Sequence, residues 1–201
     1  MSDRRLTFYY DFSSPWSYLG STQVERVAQE NGATVEWRPI LLGALFKAIG
    51  TPIVPLHEQS QARQRYQGRD LHHWADFWGV PFRFASRFPT NSVTALRMVL
   101  AAGEKDLPRL SHAIYRAYWA EDQDITDREV LARLASDLGL DGAALVARTE
   151  DPEIKARLRE YTDGAVARGV FGVPTFFIGD TMVFGQDRFD FVAAALRGEK
   201  I

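Results

Sequence analysis

The apolar period of this chain changes twice, and that pattern restricts its fold more than any other feature. The segment "RLTFYYDFS" (5–13) is short, aromatic and apolar, as a buried strand is. "SPWSYLGSTQVERVAQENG" (14–32) then shifts to helical spacing, with Tyr18, Leu19, Val24, Val27 and Ala28 on one broad face and Gly32 as a stop. "ATVEWRPI" (33–40) reads as a second strand, so the start is a β-α-β unit whose crossover favours parallel strands. From about Gly43 to Gly169 the signals are mostly helical. They predict a short helix ending at Gly50, a longer one over 57–78, one in "TNSVTALRMVLAAGEKD" and one after Pro108. A further helix opens with a Thr126-x-x-Glu129 capping box, and one or two more fall within 151–169. After Gly172 the period returns to that of strands: Thr175 to Ile178, a Gly179-Asp180 turn, Thr181 to Phe184, then a helix from about Asp187 to Leu196. Neither end has strands enough to bury a sheet face alone. The expectation is an α/β protein with one four-stranded mixed sheet, built from 1–42 and 170–201, and a helical domain inserted over 43–169.

The chain has 201 residues, with 24 basic and 26 acidic side chains, a formal net charge of −2. That balance gives no electrostatic reason to expect a nucleic-acid or anionic-membrane partner. There is no cysteine, which excludes disulfides, protein thiolate chemistry and cysteine-ligated metal. "MSDRRLTFYYDF" has no long apolar run of the signal-peptide kind, and no stretch approaches the ~20 apolar residues of a membrane span. A cytoplasmic location is the expectation.

Three places concentrate residues capable of chemistry. Ser14-Pro15 makes a strong helix start, with Ser14 as N-cap and Pro15 in the first turn. Capping accounts for both residues, yet a helix start also suits an anion such as a thiolate or a carboxylate. Trp16 and Tyr18 are placed either in the core or on a flat apolar pocket nearby. In "GVFGVPTFFIG", Pro174 precedes an apolar strand. Were the Val173–Pro174 bond cis, the Val173 backbone would face outward toward an extended ligand. In "FGQDRFD", Asp187 and Arg188 open a helix, either as cap and solvated side chain or as a pair that recognises a zwitterion. "DLHHWADFWGVPF", which contains Trp78, reads as core or pocket lining. Arg63, Arg65 and Arg69 fall on a solvated helical face or a basic one. The four histidines form no metal-binding motif, and "EDQDITD" lacks the glycine and glutamate of a calcium loop.

Taken in order, "FYYDFSSPWSYLG", "LLGALFKAIG", "DLHHWADFWGVPFRFASRFPTNSVTALR" and "FGVPTFFIG" with "FGQDR" resemble one family over nearly the whole chain. It is that of the 2-hydroxychromene-2-carboxylate isomerases and kappa-class glutathione transferases, a branch of the DsbA-like thioredoxin superfamily. The resemblance implies a thioredoxin-like fold with a large all-helical insertion. Ser14 and Ser17 stand where redox relatives carry their two cysteines, so no dithiol is available. It implies that the Ser14 hydroxyl donates a hydrogen bond to the thiolate of bound glutathione, lowering the thiol's pKa together with the helix terminus. Val173, ahead of Pro174, would then pair by its backbone with the cysteinyl part, and Asp187 and Arg188 would hold the γ-glutamyl end. Arg63 would meet the glycyl carboxylate where the family often has lysine. The implied activity is glutathione-dependent isomerisation of 2-hydroxychromene-2-carboxylate, a small aromatic substrate, to trans-o-hydroxybenzylidenepyruvate, with Trp16, Tyr18, Thr51 and Trp78 lining its pocket. Thr51 departs from the family's asparagine, which leaves room for another low-molecular-weight thiol or another electrophile. The rival readings are a kappa-type transferase and a non-redox binding module. A homodimer is usual in the family.

Overall fold

The computed structural model describes residues 4–201. Strand β1 (Arg4–Tyr10) leads into helix α1 (Pro15–Glu30) and strand β2 (Ala33–Pro39). Seven helices follow: α2 (Leu42–Ile49), α3 (Gln61–Trp78), α4 (Val93–Ala102), α5 (Leu107–Trp119), α6 (Arg128–Asp137), α7 (Gly142–Arg148) and α8 (Pro152–Ala167). A hairpin of β3 (Thr175–Ile178) and β4 (Thr181–Phe184), then α9 (Phe189–Leu196), complete the chain. The sheet order is β2-β1-β3-β4. β1 runs parallel to β2, with Leu6 opposite Val35, and antiparallel to β3, with Phe8 opposite Phe176. β3 and β4 pair antiparallel. This is a thioredoxin-like sheet with the expected helical segments between β2 and β3.

From Leu6 to Tyr10 β1 is buried on both faces, because it lies in the middle of the sheet with helices on either side. Leu6, Phe8 and Tyr10 point into the larger core, with residues of α1, α4, α5 and α9. Tyr9 points the other way, into a smaller core with Leu45, Phe46, Val170 and Phe177. Phe8 stacks on Phe176 across the β1–β3 pair, ring centroids 5.4 Å apart, a cross-strand aromatic contact that helps hold register.

Four local details depart from the sequence expectations. The long helix does not begin at residue 57: a 3-10 turn spans Pro55–Glu58, and α3 starts after Ser60, whose hydroxyl accepts the Arg63 N–H. Thr126 does not cap α6. Asp127 does, its carboxylate accepting the Glu129 N–H, while the Thr126 hydroxyl turns back to Asp124 at 2.6 Å. A short helix, α7, lies in "GAALVAR", where no helix was expected. The last helix is delayed, because Gln186–Arg188 first makes a 3-10 turn. Among the described residues no helix is long and apolar enough to cross a membrane.

Candidate active site

Ser14 ends the β1–α1 loop and caps α1. Its φ of −100° is extended, its Oγ accepts the Ser17 N–H at 3.2 Å, and Pro15 follows in the first turn. The hydroxyl proton has a second role: it donates to the Val173 carbonyl at 3.2 Å. The N-cap of α1 is therefore tied directly to the loop before β3. That loop approaches closely because α1 carries Gly20 at the contact. A Cβ there would stand 3.3 Å from Pro174 Cγ, tighter than ordinary packing. The Val173–Pro174 peptide is cis. The Val173 N–H has no acceptor among the described residues, although Val173 is buried.

The loop that carries Ser14 is fixed largely by distant residues. Tyr115, in α5, donates its hydroxyl to the Asp11 carbonyl at 3.1 Å, and the Trp119 indole N–H donates to the Phe12 carbonyl at 2.8 Å. Both bonds are buried, where an unpaired carbonyl is costly. The Asp11 carboxylate, 1% exposed, accepts the Ser13 N–H and hydroxyl on one oxygen and the Leu42 N–H on the other. Leu42 is the first residue of α2, whose N-cap, Leu41, has no side chain able to cap it. Asp11 thus serves the positive end of α2 from another segment. Burial pushes its carboxyl above the usual carboxylate range, against the lowering effect of its donors.

Two cavities meet at this point. The larger, about 880 Å³, is walled by Asp11, Ser14, Thr51 and aromatic residues including Phe46, Phe84 and Phe88. The smaller, about 360 Å³, collects Arg63, Asp70, Pro174, Gln186, Asp187 and Arg188. Trp16, Gln67, Val173 and Phe184 belong to both walls. The charged and apolar functions are thus segregated, with Ser14 and Val173 where they adjoin.

Of the residues singled out from sequence, Ser14, Trp16, Thr51 and Val173 line the larger cavity, and Arg63, Trp16, Val173, Pro174, Asp187 and Arg188 the smaller. Tyr18 and Trp78 are on neither wall. Tyr18 is 5% exposed, packs its ring against Tyr115 and donates its hydroxyl to the Pro81 carbonyl, burial pushing the phenol up to about 12. Trp78 packs against Trp74 and Phe189. Tyr18 packs α1 against α5 and Trp78 packs α3 against α9, instead of facing a cavity.

Asp11, Asp70 and Gln186 are polar wall residues that sequence reasoning did not single out. Gln186 is buried and lines the smaller cavity. Burial and the neighbouring Asp187 charge push the Asp70 carboxyl up. Two carboxylates and two guanidinium groups in one small cavity, beside the Gln186 amide and the free Val173 N–H, suit a ligand that is a zwitterion with peptide bonds. The residues present therefore fit glutathione. Among the described residues no three His, Cys, Asp or Glu side chains converge to hold a metal ion.

Comparison with known proteins agrees with this architecture. The model of the DSBA-like thioredoxin domain matches residues 5–197. A 2-hydroxychromene-2-carboxylate isomerase of Pseudomonas putida is 31% identical over 190 residues, covering 94% of this chain and 92% of the relative. Glutathione S-transferase kappa 2 of Caenorhabditis elegans is 27% identical over 218 residues, covering 98% and 96%. A solved structure of a 2-hydroxychromene-2-carboxylate isomerase superposes with a TM-score of 0.86 at 30% identity, covering 96% of this chain and 94% of that one.

Proposed function

The chain belongs to the DSBA-like thioredoxin family, among its 2-hydroxychromene-2-carboxylate isomerase-like members, and from that premise we propose that it is a glutathione-dependent isomerase. Its reaction type is isomerisation about an aryl-conjugated double bond, as between 2-hydroxychromene-2-carboxylate and trans-o-hydroxybenzylidenepyruvate. The observation that carries the reading is the bond from the Ser14 hydroxyl to Val173, at the junction of a charged cavity and an aromatic one. When bound, glutathione supplies a nucleophilic thiolate whose reversible addition to an unsaturated carbon permits rotation and is undone by its departure.

The chain's own residues prepare that chemistry. The Val173 carbonyl holds the Ser14 hydroxyl with a long bond of 3.2 Å, beyond the roughly 2.5–3.0 Å of ordinary O–H···O bonds. A ligand N–H that takes the same carbonyl releases the hydroxyl to donate elsewhere. A thiolate is the better acceptor: a hydrogen bond to a charged group is worth about 1.5–3 kcal/mol, against about 1 kcal/mol for a neutral one. The start of α1 adds its positive end. Asp187 would take an ammonium, and Arg188 and Arg63 carboxylates, each across the smaller cavity. Trp16 and Phe184, shared by both walls, would cover the reacting atoms from water. A homodimer and a cytoplasmic setting complete the proposal.

Calorimetric titration with glutathione tests the reading. Binding is expected in the wild type, weakened on the order of tenfold in Arg188→Ala as one charge-assisted contact is lost. Absence of binding in the wild type defeats the proposal. Product analysis after turnover separates it from its rival, because a retained glutathione conjugate marks a kappa-type transferase.

A further inference from the structure

Building on the reading of Ser14 as donor to a thiolate, we infer that the larger cavity takes an uncharged aromatic carbonyl compound in preference to an aromatic carboxylate. This keeps the reaction type and changes the class of the second reactant. The argument starts from the charge on the wall. Among the described residues lining the larger cavity there is no Lys, Arg or His. Its one ionisable side chain is Asp11, which carries negative charge when ionised. The cationic side chains, Arg63 and Arg188, stand on the smaller cavity, where Asp70 and Asp187 accompany them.

Helix starts are the other source of positive potential, and three of them reach this wall. Each already has an acceptor on an N–H group. Ser14 Oγ takes the Ser17 N–H of α1, Asp11 Oδ2 takes the Leu42 N–H of α2 at 2.8 Å, and Asn91 Oδ1 takes the Val93 N–H of α4 at 3.1 Å. A substrate carboxylate entering here would lose water and meet no cation on this wall, only backbone N–H groups such as that of Gly43 close to the Asp11 carboxylate, which is the expensive way to bury a charge. A ketone, aldehyde or phenol has no such cost. Thr51, Gln67 and Thr90 offer neutral donors for its oxygen, and Phe46, Phe84, Phe88 and Phe171 offer ring faces for its aromatic part.

Benzylacetone and benzylpyruvate test the inference, since they share a phenylethyl ketone skeleton and differ in carrying a methyl or a carboxylate on the carbonyl. Neither has the conjugated double bond, so calorimetry on the full chain reads binding alone. Benzylacetone is expected to bind at least about tenfold more tightly than benzylpyruvate, with or without glutathione. Gln64→Lys, which puts a cation on the wall, is expected to raise affinity for benzylpyruvate several-fold and leave benzylacetone nearly unchanged. Equal affinities, tighter binding of benzylpyruvate, or binding of neither probe overturns the inference. Failure to bind glutathione defeats the proposed function instead, and the two probes still report on the cavity.

Discussion

Asp11→Ala removes one buried carboxylate and releases three donors at once: the Ser13 N–H and hydroxyl, and the Leu42 N–H. Ser13 is half-buried, so water recovers part of its loss. Leu42 loses the one side chain that caps α2, since Leu41 cannot replace it. A hydrogen bond to a charged group is worth about 1.5–3 kcal/mol and a helix-end charge about 0.3–1 kcal/mol, offset in part by no longer burying the charge, so the net cost is about 3 kcal/mol. For a chain of this size that lowers Tm by about 6–12 °C. Asp11→Asn keeps an acceptor for Ser13 but can set an amide N–H against Leu42, and is expected to cost about half as much.

The pH dependence supplies an independent check. Burial raises the native Asp11 pKa, so the folded chain holds this proton to higher pH than the unfolded chain does. Its contribution to stability is full below the ordinary carboxylate range and declines as pH rises through the raised value. The stability gap between wild type and Asp11→Asn should be widest in acid and narrow toward neutral pH in urea titrations. A loss below about 1 kcal/mol for Asp11→Ala, or a gap that widens with rising pH, refutes the reasoning.

Other perturbations test other parts of the account. Gly142→Ala puts a Cβ 1.9 Å from the Ala132 carbonyl oxygen, so α7 must move off α6. The expected cost is about 1–3 kcal/mol by thermal unfolding, and an unchanged Tm would contradict this packing. Asp122 accepts the Ser86 N–H at 2.7 Å, which with Arg83 and Arg87 nearby holds its carboxyl below the usual range. Its contribution is present above the ordinary carboxylate pKa and lost as pH falls through the lowered value. Asp122→Asn should therefore lower Tm at neutral pH and match the wild type in strong acid; the opposite order would contradict the assignment.

What could be read from the sequence was what local chemistry decides. β3 and β4 fall where Pro174 and Gly179-Asp180 bound two short apolar runs, and α1 starts where Ser14-Pro15 says it must. α7 escaped because seven residues are too few to display a period. Thr126 and Asp127 are adjacent candidates for one cap, and the winner depends on Asp124 capturing the Thr126 hydroxyl. The candidate site was legible on the same terms. Ser14, Val173, Asp187 and Arg188 were identifiable from helix starts, a proline and the family motif. Tyr115 and Trp119 were not, because they reach the Ser14 loop from more than a hundred residues away. Tyr18 and Trp78 show the converse: aromatic side chains near a motif can equally well pack in the core, and only the fold places them.

The central claim is that the Ser14 hydroxyl serves a bound thiolate, and it is tested most directly by titrating the thiol of glutathione on the protein, through its ultraviolet thiolate absorbance. The comparison is wild type with Ser14→Gly, which removes the hydroxyl at a cost of only a few tenths of a kcal/mol in helix capping. The account predicts a bound thiol pKa below that of free glutathione. It predicts a rise of about one pH unit in Ser14→Gly, the equivalent of about 1.4 kcal/mol. The same thiol pKa in both proteins, with glutathione bound to each, would contradict it.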